Sequence, residues 1–324
     1  MNVLLNFKII IFLLVLSFQS LLANEKCNKF PFIQECDLCS CAASGGNAGF
    51  GTLGNTNFIG LRYNQQNFES INGIFYNSPS SNEHISSIQI WGQIPIYKNW
   101  SINVSLPYNQ LTRESEEATE QLQGIGDASI INWYKIKILK KAPQKGEYYN
   151  NQKIPTNHSF QLGLGIKLPT GAFQERFDNN FNPGFQVGTG SVDGIFAFKY
   201  NYNGTALGIN TGVTYFLKGA NPNEFKFGNQ TNINTNIYKV LGKEKKLQYI
   251  PFMGASADFN KNTIQYNEEL ANTDGRIVNG VLGTEIVYKK FILGTNYATP
   301  IYQDLFDGFV ESKGNFQVYL NFGL

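Results

Sequence analysis

Four cysteines and two histidines are the side chains best suited to bond-making chemistry in this sequence, and their spacing narrows what they can do. Cys27, Cys36, Cys39 and Cys41 lie together ahead of the small, glycine-rich run from Ala42 to Gly49. Outside the cytosol, four such residues read first as two disulfides, for which three pairings exist. Cys36-x-x-Cys39-x-Cys41 also offers thiolates to a soft ion such as Cu(I) or Zn(II), although no second Cys or His pair completes a zinc module. Reduced, redox-active thiols are the third reading. His158 stands beside Ser159, but neighbours on a strand point to opposite faces and cannot form a nucleophile–base dyad with each other. His84 and His158 could each meet a hydroxyl on an adjacent strand, the arrangement a membrane hydrolase would need; strand-end histidines require no such role, and no catalytic residue is assigned. Gly188-Thr189-Gly190-Ser191-Val192-Asp193-Gly194 has the wrong spacing for a dinucleotide loop and opens a strand rather than a helix. No cofactor is expected.

The remaining candidates are isolated charges, Arg62, Lys135, Lys167, Lys199, Asp258 and Glu285, each set among uncharged neighbours. Their meaning depends on the elements that carry them. Charged residues make up 15% of the 324-residue chain and aromatics 14%, whereas soluble domains are about a quarter charged. Mean hydropathy is nonetheless −0.24, because Asn, Gln, Ser, Thr and Gly alternate with the apolar residues. That combination excludes a bundle of membrane helices, each of which needs about 20 consecutive apolar residues. A net charge of +2 argues against nucleic acid as a partner. The single long apolar run, Ile9 to Leu16 behind Lys8 and closed by Leu21-Leu22-Ala23, reads as a secretory signal peptide over 1–23. Residues 24–56 form a Cys- and Gly-rich periplasmic leader, and 57–324 the main domain.

The last stretch shows how that domain is built. Phe316, Val318, Leu320, Phe322 and Leu324 share one parity, and Asn315, Gln317, Asn321 and Gly323 the other. One face of this strand suits hydrocarbon and the other water or amides. The same alternation recurs in Ile88 to Ile96, Ile102 to Leu106, Phe160 to Leu168, Leu207 to Leu217 and Thr231 to Ile237. Counting by alternation and turns predicts twelve strands near 57–67, 84–96, 100–109, 126–137, 158–168, 191–202, 205–217, 225–239, 247–259, 276–288, 291–302 and 314–324. Long connections alternate with short ones such as Lys98-Asn99, Asn203-Gly204 and Lys289-Lys290; 138–157 breaks this rhythm. The fold class expected is therefore all-β, a transmembrane antiparallel barrel. A soluble sandwich would leave too little charged surface for its strand count.

Parity then turns Arg62, Lys135, Lys167, Lys199, Asp258 and Glu285 toward the lumen, since a charge on the lipid face costs about 2–4 kcal/mol at the midplane. There they pair across the interior or meet a solute. The predicted loop 110–125 carries Arg113, Glu114, Glu116, Glu117 and Glu120; folded inward it would make a cation-favouring constriction, but the sequence favours a solvated loop.

Three segments in order, Gly124-Ile125-Gly126-Asp127, Lys167-Leu168-Pro169-Thr170-Gly171 and Pro183-Gly184-Phe185-Gln186-Val187-Gly188-Thr189-Gly190-Ser191-Val192-Asp193, resemble the pattern of the outer-membrane family named for the meta-cleavage pathway of phenol degradation ("MetA-pathway of phenol degradation"), a transporter-like family. The resemblance implies an outer-membrane barrel of Gram-negative cells that takes up small, often aromatic or hydrophobic solutes by passive diffusion. Its partners would be outer-membrane lipid and a small solute, with oligomeric state left open. A closed-lumen barrel whose outer loops bind a partner is the competing class. Read physically, Leu168-Pro169-Thr170-Gly171 is a corner from strand to outer loop, because Pro lacks a ladder donor and Gly permits the turn. Leu324 stands where such barrels usually end in an aromatic, with Phe322 keeping the parity.

Overall fold

The computed structural model describes residues 57–71, 77–116, 118–139, 157–177, 180–204, 207–242 and 247–324. The signal-peptide and leader assignments, all four cysteines and the connection 140–156 lie outside these residues. One antiparallel sheet dominates: β1 (Phe58–Ile71), β2 (Ser80–Tyr97), β3 (Trp100–Glu114), β4 (Thr119–Ile125), β5 (Ala128–Leu139), β6 (Asn157–Leu168), β7 (Asp193–Asn203), β8 (Gly208–Leu217), β9 (Gln230–Tyr238), β10 (Leu247–Asn260), β11 (Gly275–Tyr288), β12 (Phe291–Leu305) and β13 (Val310–Gly323). Each strand pairs with the next in sequence, except that β4 and β5 share one span. β3 pairs with β4 from Tyr108↔Ile125 to Glu114↔Thr119, and with β5 from Trp100↔Tyr134 to Ser105↔Ser129. The thirteen segments therefore make twelve spans. β13 closes the ring on β1, in register from Phe58↔Gly323 to Ser70↔Val310. Closure leaves the spanning sheet no free edge, which hydrocarbon would not tolerate.

Two zones stack along the axis. In the lower zone the outward parity is apolar: Ile59, Leu61, Ile88, Ile90, Leu162, Leu164, Leu282 and Leu320 are exposed. The inward parity there mixes amides and hydroxyls, Asn64, Gln89, Asn103, Gln161, Asn296 and Gln317 among those buried, with small apolar clusters around Trp91, Trp133 and Phe252. Rings border the outward apolar band at the short-turn end, where Trp100 meets Tyr134, His158 meets Tyr200 and Tyr202, and Phe291 meets Phe322. Above this band the same strands continue with the polarity reversed. Phe68, Ile85, Leu111, Ile277, Leu305 and Val310 point inward and pack as one apolar cluster, while Glu69, His84, Gln110, Thr112, Arg276 and Glu311 occupy the outward parity. The lower zone is built to stand in lipid, and the upper zone as a barrel with a dry core and a wet exterior.

This reversal accounts for several corrections to the sequence reading. Residues 110–125 are not a loop but the β3–β4 hairpin, turned at Ser115, whose amide donates to the Ala118 carbonyl at 3.0 Å. β1 runs on to Ile71, β2 starts at Ser80, β12 reaches Leu305 and β13 begins at Val310, so both ends of the predicted loop 68–83 and most of 303–313 are strand. In each case the apolar parity swaps sides and alternation of the lipid-facing type stops, although the backbone does not. The predicted strand 225–239 begins instead at Gln230; Phe225–Lys226 pairs with Ile264–Gln265 in a small separate sheet.

The wall is uneven. β6 ends at Leu168, opposite Ala128 and near the level of Ser105, whereas β3 climbs on to Glu114. On this low side the described parts of 169–192 and 218–229 take the place of wall strands, with only short pairings such as Arg176–Phe177 with Asn180–Phe181. Leu164, 62% exposed on the outward face, tests the zoning. Leu164→Lys should lower refolding stability in lipid vesicles by about 2–4 kcal/mol, whereas Gln110→Lys, exposed above the apolar band, should change it by less than about 0.5 kcal/mol, both measured by urea titration.

Candidate functional site at the outer mouth

Asp127 sits at the break between β4 and β5. Pro107 on β3 has no amide to donate across the ladder there, and its carbonyl instead accepts from the Gly126 amide at 2.9 Å. The kink lets the Asp127 carboxylate act as a hub. It accepts from the Gly171 amide (3.0 Å), the Thr189 amide (2.9 Å) and the Thr189 hydroxyl (2.7 Å), and it pairs with Lys167 Nζ at 3.1 Å. Lys167 reaches Asp193 at 2.9 Å, and Lys218, just past the end of β8, reaches the same carboxylate at 3.4 Å. The Ser191 hydroxyl (2.8 Å) and the Gly219 amide (3.0 Å) complete Asp193, whose side chain is 0% exposed.

Two lysines and two aspartates thus form a buried, formally neutral cluster. Isolated, each would be expensive to bury; mutual pairing and charge-assisted hydrogen bonds offset that cost. Burial, reinforced by the Lys167 ammonium, pulls the Lys218 ammonium down to about 8, against the upward pull of Asp193.

The cluster fixes two loops. Thr170 Oγ1 donates to the Gly126 carbonyl at 2.7 Å and accepts from the Ala128 amide at 2.9 Å, which makes the Pro169-Thr170 corner a clasp on the β4–β5 break. Gly171 and Gly188 meet backbone to backbone: a Cβ on Gly188 would lie 2.6 Å from Gly171 Cα, so neither position accepts a side chain. Gln186 spans its own loop, donating to the Glu175 and Asn182 carbonyls, both at 2.9 Å. Asn221 donates to the Thr189 carbonyl at 3.1 Å and accepts from the Phe225 amide at 3.1 Å, tying the second loop to the first. Held in this way, Phe185 and Val187 from one loop and Phe225 and Phe227 from the other fill the apolar upper zone.

Of the charges expected in the lumen, only Lys167 joins this cluster. Arg62 donates to Gln89 at 3.1 Å and lies 4.3 Å from the Trp91 ring; Glu285 accepts from Tyr319 Oη at 2.5 Å. Asp258 accepts from Asn232, and Lys199 lies 4.4 Å from the Trp133 ring. Lys135 is half-buried one strand pair away. These groups do not gather at one site: Arg62 and Glu285 flank Tyr319, Lys135 and Lys199 share a row with Gln161, and Asp258 stands apart on β10. Arg113, expected in a solvated loop, is buried, paired with Glu83 at 3.1 Å and Glu120 at 3.8 Å, and stacked 4.8 Å from the Phe185 ring; Glu114 and Glu116 stay exposed. His84 meets Asn67 at 2.8 Å and His158 meets Tyr200 Oη at 2.9 Å, while Ser159 turns to the buried inner face. Among the described residues, no three His, Cys, Asp or Glu side chains converge on a metal-sized site. Asp127, Asp193 and Lys218 were not singled out from the sequence as functional, although two of them stand inside the three segments that carry the resemblance.

No family model matches the chain, and no curated protein does. Its fold does match solved structures. The COG4313 outer membrane channel from Pseudomonas putida F1 superposes with a TM-score of 0.59 at 10% identity, covering 83% of this chain and 96% of that one. The β domain of the Bordetella autotransporter BrkA (TM-score 0.48, 8% identity, 83% and 100% covered) and the NanC porin (0.40, 8%, 81% and 100%) are more distant. The likeness places the chain among outer-membrane β-barrel folds.

Removing one carboxylate should release the loops. Asp193→Asn leaves Lys218 without its carboxylate and Lys167 with Asp127 alone, a loss of about 3–5 kcal/mol for a broken buried pair. Hydrogen exchange at the Thr189 and Gly171 amides should accelerate accordingly, while amides of β11 and β12 keep their protection.

Proposed function

We propose that this chain is an outer-membrane channel of the transporter-like family it resembles, passing a small solute by diffusion without a cofactor. In this reading residues 1–23 direct export, 24–56 form a periplasmic leader, and the described barrel is the conduit. The observation that carries the proposal is the division of labour along the axis. The inner wall of the spanning zone offers amide and hydroxyl side chains that can replace a solute's water, interspersed with rings such as Trp91 and Trp133, whereas its mouth is occupied by apolar side chains on pinned loops. A polar lumen behind an apolar constriction is a recognised way to control passage, because a dry constriction admits water and ions only when it is widened. The stopper residues come from loops rather than from the wall, so widening the mouth does not require the sheet to open. The apolar lining also suits solutes with a hydrophobic body, which could share the Phe185–Phe227 cluster during transit.

Planar-bilayer recording of the purified protein tests the reading. Discrete openings are expected, and Phe185→Ala combined with Phe227→Ala should increase open time, since each substitution removes packing worth about 3–5 kcal/mol in a filled core. Silence from both proteins, with the variant still folded, would favour the closed-lumen, partner-binding barrel.

A further inference from the structure

From the inner wall of β5 to β8 we infer that Lys199 forms a station for the carboxylate of a small organic anion; this inference rests on the channel reading above. Lys199 is 9% exposed and points into the barrel. The Trp133 ring lies 4.4 Å from its Nζ, and among the described residues no acid pairs with it. The inward residues beside it on the flanking strands are Gln161 and Gly212, its direct register partners on β6 and β8. Lys135 is the next residue in the same row, opposite Gln161 on β5. The row therefore reads Lys135, Gln161, Lys199 across three strands, placing the two lysine backbones about 10 Å apart. The neighbours of Lys199 in the row are thus an amide and a second cation rather than an acid.

The contrast with the mouth gives the row its significance. Lys167 and Lys218 are answered by Asp127 and Asp193 at 2.9–3.4 Å, so that cluster carries no surplus charge. Lys199 lies six residues along β7 from Asp193, about 20 Å deeper, among neutral and cationic neighbours. Of the other acids described on the inner wall, Glu83 on β2 pairs with Arg113, and Asp258 and Glu285 on β10 and β11 are hydrogen-bonded to Asn232 and Tyr319. A buried cation without a counter-charge is costly, and the aromatic face of Trp133 offsets only part of that cost. An anion from the lumen would supply the rest.

Sodium benzoate and benzamide, which share a ring and differ in charge, separate the possibilities. Calorimetry on the detergent-solubilised barrel should show saturable benzoate binding and none for benzamide. Lys199→Gln should weaken benzoate binding by roughly fivefold or more, the scale of one unit charge acting across a partly hydrated gap, and Lys199→Arg should stay within about twofold of wild type. Equal benzoate binding by wild type and Lys199→Gln, or no binding by wild type, overturns the station. Bilayer recording of the same preparations is independent of that outcome: a conducting protein that ignores benzoate loses the station and keeps the channel, and a silent protein that binds benzoate keeps the station and loses the channel.

Discussion

Hydrocarbon offers a backbone no hydrogen-bond partner, and that constraint organises the whole molecule. Every amide and carbonyl in the spanning zone must be bonded within the chain, so the sheet must close. Pairing of β13 with β1 achieves this, and the Leu324 amide adds a bond to the Asn57 carbonyl at 3.1 Å. Once the ring is closed the two parities have fixed solvents, lipid outside and the lumen inside. The alternation of Ile88, Gln89, Ile90 and Trp91 is then a direct record of those surroundings. The constraint lapses where the strands leave the membrane, and the reversal there follows from the same rule. Water now wets the outside, so apolar residues move to the inside and form a core of the ordinary kind.

How legible the fold was follows from this physics. Strand number, order and approximate extent could be read wherever lipid imposed an apolar outward parity, as in Phe160 to Leu168. The upper strand ends could not, because Phe68 and Leu111 carry their apolar signal on the opposite parity, and Val310, of the same parity as Phe316 to Leu324, is turned inward by a register shift near Gly314. The β4–β5 break was likewise invisible, since alternation alone does not distinguish a kinked strand from a loop followed by a strand.

The site was legible in a different way. Gly126-Asp127, Lys167 to Gly171 and Gly188 to Asp193 stood out as a pattern, and the Pro169-Thr170-Gly171 corner could be given a backbone role. What alternation could not supply was their convergence. Lys167 and Asp193 are direct partners across β6 and β7, but Asp127 reaches them only because Pro107 and Gly126 bend the wall, and Lys218 only because it follows the last inward residue of β8. Proximity of this kind depends on register and on a kink, and neither has a period.

The chemistry of the mouth explains why polar residues carry the pattern while the stopper itself is apolar. Phe185, Val187, Phe225 and Phe227 need only be large and hydrophobic, and many combinations of such residues fill a space of given volume. The contacts that aim them are directional. Asp127 must accept from two amides and a hydroxyl while pairing with Lys167, and no other side chain of similar size offers two acceptor oxygens and a negative charge. Replacing one member strands the others in a dry environment, so the members are constrained together. Apolar packing alone could fill the mouth without specifying which loop enters it. The buried ion pairs select one arrangement of the two loops, and the hydrophobic cluster stabilises that arrangement.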